Sequence, residues 1–328
     1  MTTMAAKPTP LAGAPAAASL GVALGILAAV VWGAYMAMSR AGANAGLSPS
    51  DIAFMRFAVA GPLMLPWLLA HRPLRLAGIG WSRSLVLALL AGPLFIILSA
   101  GGYQLAPLAH GAVFQPAAAT LGGLAFAALL LGESLTASRV VGAGTILAGL
   151  AAIAGPGLAT GGIAALAGDA MFVAAGLLWA LFAVAAKRWD IDPVAATASL
   201  SVLSAAVFVP WYLAFDSLER IAALPGPTLV AQLVVQGVLS GIVAILAYTR
   251  AAQLIGASRA AVFPALVPVI AILIGVPVAN EVPEPMQAVG IAIVVLGLLT
   301  AIGALRRPLR AARRALRPAG AAAAQGSD

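Results

Sequence analysis

The chain has 328 residues and no cysteine. That absence excludes a disulfide framework, an iron–sulfur cluster and a thiolate metal site. Charge is nearly as scarce. Asp, Glu, Lys and Arg together make up 9% of the residues, against about 25% in a soluble domain. The only histidines, His71 and His110, are far apart in sequence, so a histidine metal cluster has no material. HExxH, GxSxG and GxxxxGK are all missing. Gly142-Ala143-Gly144 lies inside an apolar run with no strand before it and is not a dinucleotide loop. A membrane-embedded enzyme needs a clustered nucleophile, base or metal set, and this sequence offers none. It implies no cofactor and no metal.

What is present is overwhelmingly apolar. Hydrophobic residues reach 62% and the mean hydropathy is +1.06. Crossing ~30 Å of hydrocarbon at 1.5 Å per residue takes about 20 apolar residues, and runs of that length recur from Ser19 to Ala304. Barrel strands would instead alternate over ~10 residues. The predicted fold is therefore all-α and membrane-integral, with ten spans at 19–39, 51–70, 84–104, 110–131, 138–155, 164–186, 194–214, 228–249, 257–279 and 285–304. The first run is too long for a signal-peptide core and has no basic flank, so it reads as a retained helix. Residues 1–18 are Ala/Pro-rich and read as a disordered tail. Residues 305–328 form a basic tail with Arg306, Arg307, Arg310, Arg313, Arg314 and Arg317. The tail is either a stop-transfer anchor or a basic helix lying on anionic headgroups.

Positive charge fixes the orientation. With both termini in the cytoplasm, the inner loops and tails hold Lys7, Arg72, Arg75, Arg83, Arg139, Lys187, Arg188, Arg250, Arg259 and the six tail arginines, fifteen of the 18 basic residues. Arg40 and Arg220 fall outside, and Arg56 alone lies within a span. A loop bias of 15 to 2 is what the positive-inside rule demands. The net charge of +8 belongs to these loops and tails, which argues against a nucleic-acid partner.

The five-span unit is written twice, at 19–155 and 164–304. Pro49 and Pro66 are 17 apart, as are Pro193 and Pro210. Pro116 and Glu133 are 17 apart, as are Pro264 and Glu281. Trp32 answers to Trp179, and Ala112-Val113-Phe114 to Ala261-Val262-Phe263. An odd number of spans per copy inverts the second copy in the membrane. Small residues give the helices a way to associate where lipid supplies no hydrophobic drive: Gly21 and Gly25 on span 1, Gly142 and Gly149 on span 5, Gly290 and Gly297 on span 10.

Trp32-Gly33 followed by Arg40, Arg56 in the second span, Leu131-Gly132-Glu133 after the fourth, Gly168-Asp169 and Leu178-Trp179-Ala180 in the sixth, and Leu266-Val267-Pro268-Val269 leading to Glu281 form an ordered set. On these residues the chain resembles the EamA-type members of the drug/metabolite transporter superfamily over about 20–304. Two positions depart from that pattern: Ala279-Asn280-Glu281 replaces Leu-Gly-Glu, and Thr120 stands where the second copy has Pro268. The resemblance implies a ten-helix carrier of inverted repeats that exports or exchanges small organic metabolites.

Inverted repeats place a substrate site between the copies near the bilayer midplane. Trp32 and Tyr35 on span 1, and Trp179 and Phe182 on span 6, share one spacing and are candidates to line it. Arg56 has Leu200 as its counterpart in the proline register. It is either a cavity guanidinium for a carboxylate or phosphate, or a residue that snorkels and pairs with Asp51. Gln115 and Tyr248, with Gln104, Gln236 and Tyr103, are polar groups in or beside the spans. Each binds substrate or glues helices. Pro116, Pro264 and Pro268 remove backbone hydrogen bonds, which makes spans 4 and 9 hinge or binding elements, or simply kinked helices. His110 reads as a satisfied interfacial residue rather than a proton carrier, Asp169 as a carboxylate near a helix start, and Glu133 and Glu281 as helix terminators. The function read here is a secondary transporter of the inner or plasma membrane. Its partners are a small-molecule substrate and the bilayer, with a homodimer and a monomer both open. The competing class is a channel or a regulatory membrane subunit.

Overall fold

The structure, a computed structural model, describes residues 15–160 and 162–304. Most of the expected N-terminal tail and all of the basic C-terminal tail lie outside them, while residues 15–18 already belong to the first helix. No strand occurs among the described residues. Ten long helices account for nearly all of them: α1 Pro15–Asn44, α2 Pro49–Ala70, α3 Trp81–Leu105, α4 Leu108–Leu131, α5 Ala137–Thr160, α6 Gly162–Arg188, α7 Pro193–Phe215, α8 Gly226–Ile255, α9 Val262–Ala279 and α10 Pro285–Ala301. Nine are long and apolar enough to cross a membrane, and α10 is a shorter apolar helix of 17 residues, the lower end of the spanning range. Pro15 and Ala301 define a terminal face, and Asn44 and Glu281 the far face.

The helix starts follow local chemistry. Ser48 caps α2 in a reciprocal box with Asp51, with Pro49 as the first helical residue. Asp192 caps α7 by accepting from the backbone N–H of Val194 and Ala195 at 2.9 Å, again followed by a proline. Pro is suited to that position because its missing N–H is one the helix would leave unbonded. These are equivalent positions of the two repeats.

The repeats interlock. α1 packs chiefly on α8 and α9, and α6 packs chiefly on α3 and α4. Each copy therefore lends its first helix to the third and fourth helices of the other. α2 lies on α7 and α5 on α10, closing the arrangement. The α5–α10 contact is made by the glycines spaced seven apart. A Cβ on Gly149 would fall 2.8 Å from the Val294 nitrogen and 2.9 Å from the Gly290 oxygen. One on Gly297 would fall 2.7 Å from the Ile146 nitrogen. Gly149→Leu is accordingly expected to destabilise the protein by about 1–3 kcal/mol, the usual range for overpacking, because backbone and not a flexible side chain must give way. Thermal unfolding in detergent measures it, and an unchanged midpoint would show that the two helices separate freely.

Two departures from the sequence reading concern helix continuity. α4 runs uninterrupted through Pro116, and α9 through Pro268, so neither proline breaks its helix. Pro264 sits in the first turn of α9, directly after the short helix Ala257–Ala260, and of the three it alone marks a break. The break the sequence reading missed is in α3. There Gly92-Pro93 divides a helix Trp81–Ala91 from a helix Pro93–Leu105.

Candidate functional site

Three polar layers cross the molecule from the far face to the terminal face. The far layer holds two clusters. Arg40 at the end of α1 donates to Glu281, just past α9, and to the carbonyl of Tyr103 on α3. Glu281 also accepts from the backbone N–H of Leu108 at 2.8 Å. One ion pair from the α1–α9 side thus grips the turn between α3 and α4. In the second cluster Asp51, fully buried, accepts from Arg220 Nε at 2.7 Å and Nη2 at 3.1 Å, from the Tyr212 hydroxyl at 2.5 Å, and from the Ser48 N–H at 2.8 Å. Arg220 also reaches Asp216 at 2.6 Å, and Ser50 donates to the same carboxylate. Hydrogen bonding to Asp51 and Asp216 pushes the Arg220 guanidinium up from its usual pKa. The Ser50 bond is the largest cause of the lowered pKa of Asp216.

Asp51 is thus fully committed, and Arg56 turns away from it. Arg56 Nη1 donates to Ser240 Oγ on α8 at 2.7 Å, and the guanidinium lies 5.5 Å from the centroid of the Tyr35 ring. The Tyr35 hydroxyl donates to Ser99 Oγ at 3.1 Å, and Ser99 donates to Gln115 Oε1 at 2.7 Å. Side chains from α1, α2, α3, α4 and α8 meet in this middle layer. Ser240 lies in a π-helical stretch of α8, Leu233–Val243, a wide-turned form often found at functional sites. One turn nearer the terminal face on α1, Trp32 packs against Tyr248, with ring centroids 5.4 Å apart. On the other side Trp179 packs against Phe95 at 5.6 Å and Phe182 at 5.2 Å. All four of Trp32, Tyr248, Trp179 and Phe182 are half-buried. The two tryptophans therefore occupy different helix groups, each packed at a tilt against the third helix of the opposite repeat.

The terminal layer mirrors one of the two far clusters, the Arg40–Glu281 pair. Glu133 accepts from Lys187 at 2.5 Å and from Arg139 at 3.2 Å. The Lys187 hydrogen bond is the first cause of its lowered pKa. Arg40 and Lys187 are 147 residues apart, as are Trp32 and Trp179. Glu133 and Glu281 are 148 apart, as are Pro116 and Pro264. The two ion pairs are the same pair in the two copies, at opposite ends of the molecule.

The remaining sequence candidates separate from the site. Gln104 donates to the Leu47 carbonyl, tying α3 to the turn between α1 and α2, and Gln236 donates to Ser39 Oγ, joining α8 to α1. Tyr103 packs on Phe172, with centroids 4.7 Å apart. His110 is buried and satisfied, bonding through Nδ1 to Asp169 at 2.8 Å. Ser99, Ser240 and Phe95 join the site without having been singled out. Small hydroxyls and aromatics in apolar runs carry no distinguishing pattern. Of the candidates, Tyr35, Arg56 and Gln115 share the middle layer, Trp32 and Tyr248 pair beside it, and Trp179 and Phe182 form their own group. Pro116, Pro264 and Pro268 contribute no side-chain polar group.

A helical membrane protein of two inverted five-helix repeats, with a polar layer held between them, has the architecture of a transporter. The family model described as the EamA-like transporter family matches twice, at residues 19–155 and 166–303. The chain belongs to that family. A solved crystal structure shares 21% identity with it and superposes with a TM-score of 0.58, over 89% of this chain and 99% of its own. At that identity the likeness speaks for the fold alone. No curated protein matches the chain significantly.

Proposed function

We propose that the protein is a secondary carrier of the cell membrane that moves a small organic metabolite by export or exchange. Its termini lie in the cytoplasm, and it works by alternating access around the middle layer. The observation that carries this reading is the mirrored ion pair. An inverted repeat that uses the same pair at both ends can form one closure while the other is released, and the two states are then related by the pseudo-symmetry. At the far face the pair Arg40–Glu281 grips the α3–α4 turn, whereas at the terminal face Glu133 is satisfied by Lys187 and Arg139. The charge split of 15 to 2 supports the orientation.

The absence of cysteine makes the tests direct. A cysteine at Leu74 and one at Ala223, both exposed loop positions, are expected to react with an impermeant maleimide from opposite sides of the membrane. Labelling of both from one side would refute the topology. Purified protein in liposomes is expected to show counterflow, in which unlabelled solute inside accelerates uptake of the labelled solute. Flux that saturates poorly and ignores solute on the opposite side would identify a channel.

A further inference from the structure

The guanidinium of Arg56 is a cation inside the membrane span with no carboxylate beside it among the described residues. Asp51, on the same helix, is held by Arg220 and Tyr212, and Asp169, buried, and Glu281, half-buried, are held by His110 and Arg40. Arg56 has five N–H donors in a planar fork, and its hydrogen bond is to a neutral hydroxyl, Ser240. A charge at membrane depth is normally paired or faces a water-filled cavity. Arg56 is half-buried and makes one hydrogen bond, to Ser240, among the described residues, which leaves donors of its fork uncommitted. The Tyr35 face beneath it, 5.5 Å away, holds the plane of the guanidinium as cation–π stacking does.

We infer that the middle layer binds the carboxylate of an organic monoanion, with Arg56 as the ligand to the anion and the apolar body of the substrate lying along Trp32 and Tyr248. This deepens the carrier reading and rests on it. A single guanidinium matches a single carboxylate in a bidentate pair. The equivalent position in the second copy is Leu200, a buried core residue, so the site has one anion-binding pole and not two. Bidentate pairing also explains why the residue is Arg. Lysine would supply the charge but not the fork. Through Ser240 the anion would be joined to α8, and through Tyr35, Ser99 and Gln115 to α1, α3 and α4. Occupancy would then be felt in both interlocked helix groups. A cationic substrate would meet like charge at the same place.

The test uses full-length protein in detergent and a set of aromatic and aliphatic monocarboxylates, each beside the amide and the amine of the same skeleton. Thermal stabilisation is the readout, since a ligand that binds only the native state raises the melting point. Carboxylates are expected to stabilise the wild type, and amides and amines not. R56Q should weaken carboxylate binding roughly ten- to hundredfold, the equivalent of losing a charge-assisted hydrogen bond. R56K should fall between the two. A purely structural role for Arg56 would not produce that order. The unliganded melting points of both variants show that the fold is intact. Should R56Q fail to fold, the wild-type preference between carboxylate and amine, together with R56K, still decides. Equal carboxylate affinity in R56Q, stabilisation by amines in preference to carboxylates, or stabilisation by no carboxylate in the set overturns the assignment. Counterflow in liposomes separates this from the carrier reading. A protein that exchanges neutral or cationic solutes but not anions is a carrier without the anion site. One that binds carboxylates but exchanges nothing has the site without being a carrier.

Discussion

Glu281→Gln is expected to cut exchange by roughly ten- to hundredfold at unchanged yield of folded protein. The carboxylate accepts from Arg40 and from the Leu108 N–H, two donors that lie on different helices. Glutamine retains one acceptor oxygen and places an NH₂ where the second donor points. One charge-assisted bond is lost, and such bonds are worth about 1.5–3 kcal/mol. A shift of that size moves the balance between two conformations by one to two orders of magnitude. The far face should then spend more time open. A cysteine at Asn280, in the turn that carries Glu281, would report it through faster labelling by an impermeant maleimide in the Glu281→Gln background. Unchanged labelling and unchanged exchange together would show that the pair is structural and not a gate. The mirrored change, Glu133→Gln, should act on the terminal face.

The second large effect is on stability. Asp51→Ala is expected to destabilise the protein by about 3 kcal/mol, the low end of the range for breaking a buried ion pair. Arg220 stays 40% exposed and recovers some solvation when its partner is lost. Tyr212, fully buried, does not, and its hydroxyl keeps only the Ser217 carbonyl, at 2.9 Å. The double variant Asp51→Ala/Arg220→Ala should be less unstable than the sum of the single ones, because the uncompensated charge disappears with its partner. Additive losses in the melting point would mean that the two side chains act independently.

The spans were legible because hydrocarbon thickness dictates them, and the inverted repeats because the prolines keep their spacing. Orientation of individual side chains was not. Whether Arg56 faces Asp51 or the centre depends on how α2 is rotated against α8, and its partner Ser240 lies 184 residues away. Glu281 read as a helix terminator because its partner Arg40 is 241 residues distant. The equal offsets of Arg40 to Lys187 and Glu133 to Glu281 were nevertheless present in the sequence and would have exposed the mirrored pair. At Pro116 and Pro268 the helix runs on without a break, which is compatible with the simple kink among the readings left open. A spanning helix tolerates one lost bond when neighbours and local adjustments satisfy the freed carbonyl, as in the continuous α4 and α9. Gly92-Pro93, which does interrupt α3, carried the stronger local signal, since the glycine adds backbone freedom to the missing donor.

Interlocking also sets a timetable for biogenesis. The glycine face of α1 receives Ile255 at Gly21, Phe263 at Gly25 and Ile270 at Gly33, all residues that leave the ribosome more than 200 positions later. At about 5–20 residues per second, the first helix waits on the order of 10–50 seconds in lipid before its partners exist. During that interval its notched surface is bare to any other helix in the bilayer. The fold therefore requires that α1 and α2 be individually stable as spanning helices, and that the last third of the chain act as the template on which the first third is finally seated.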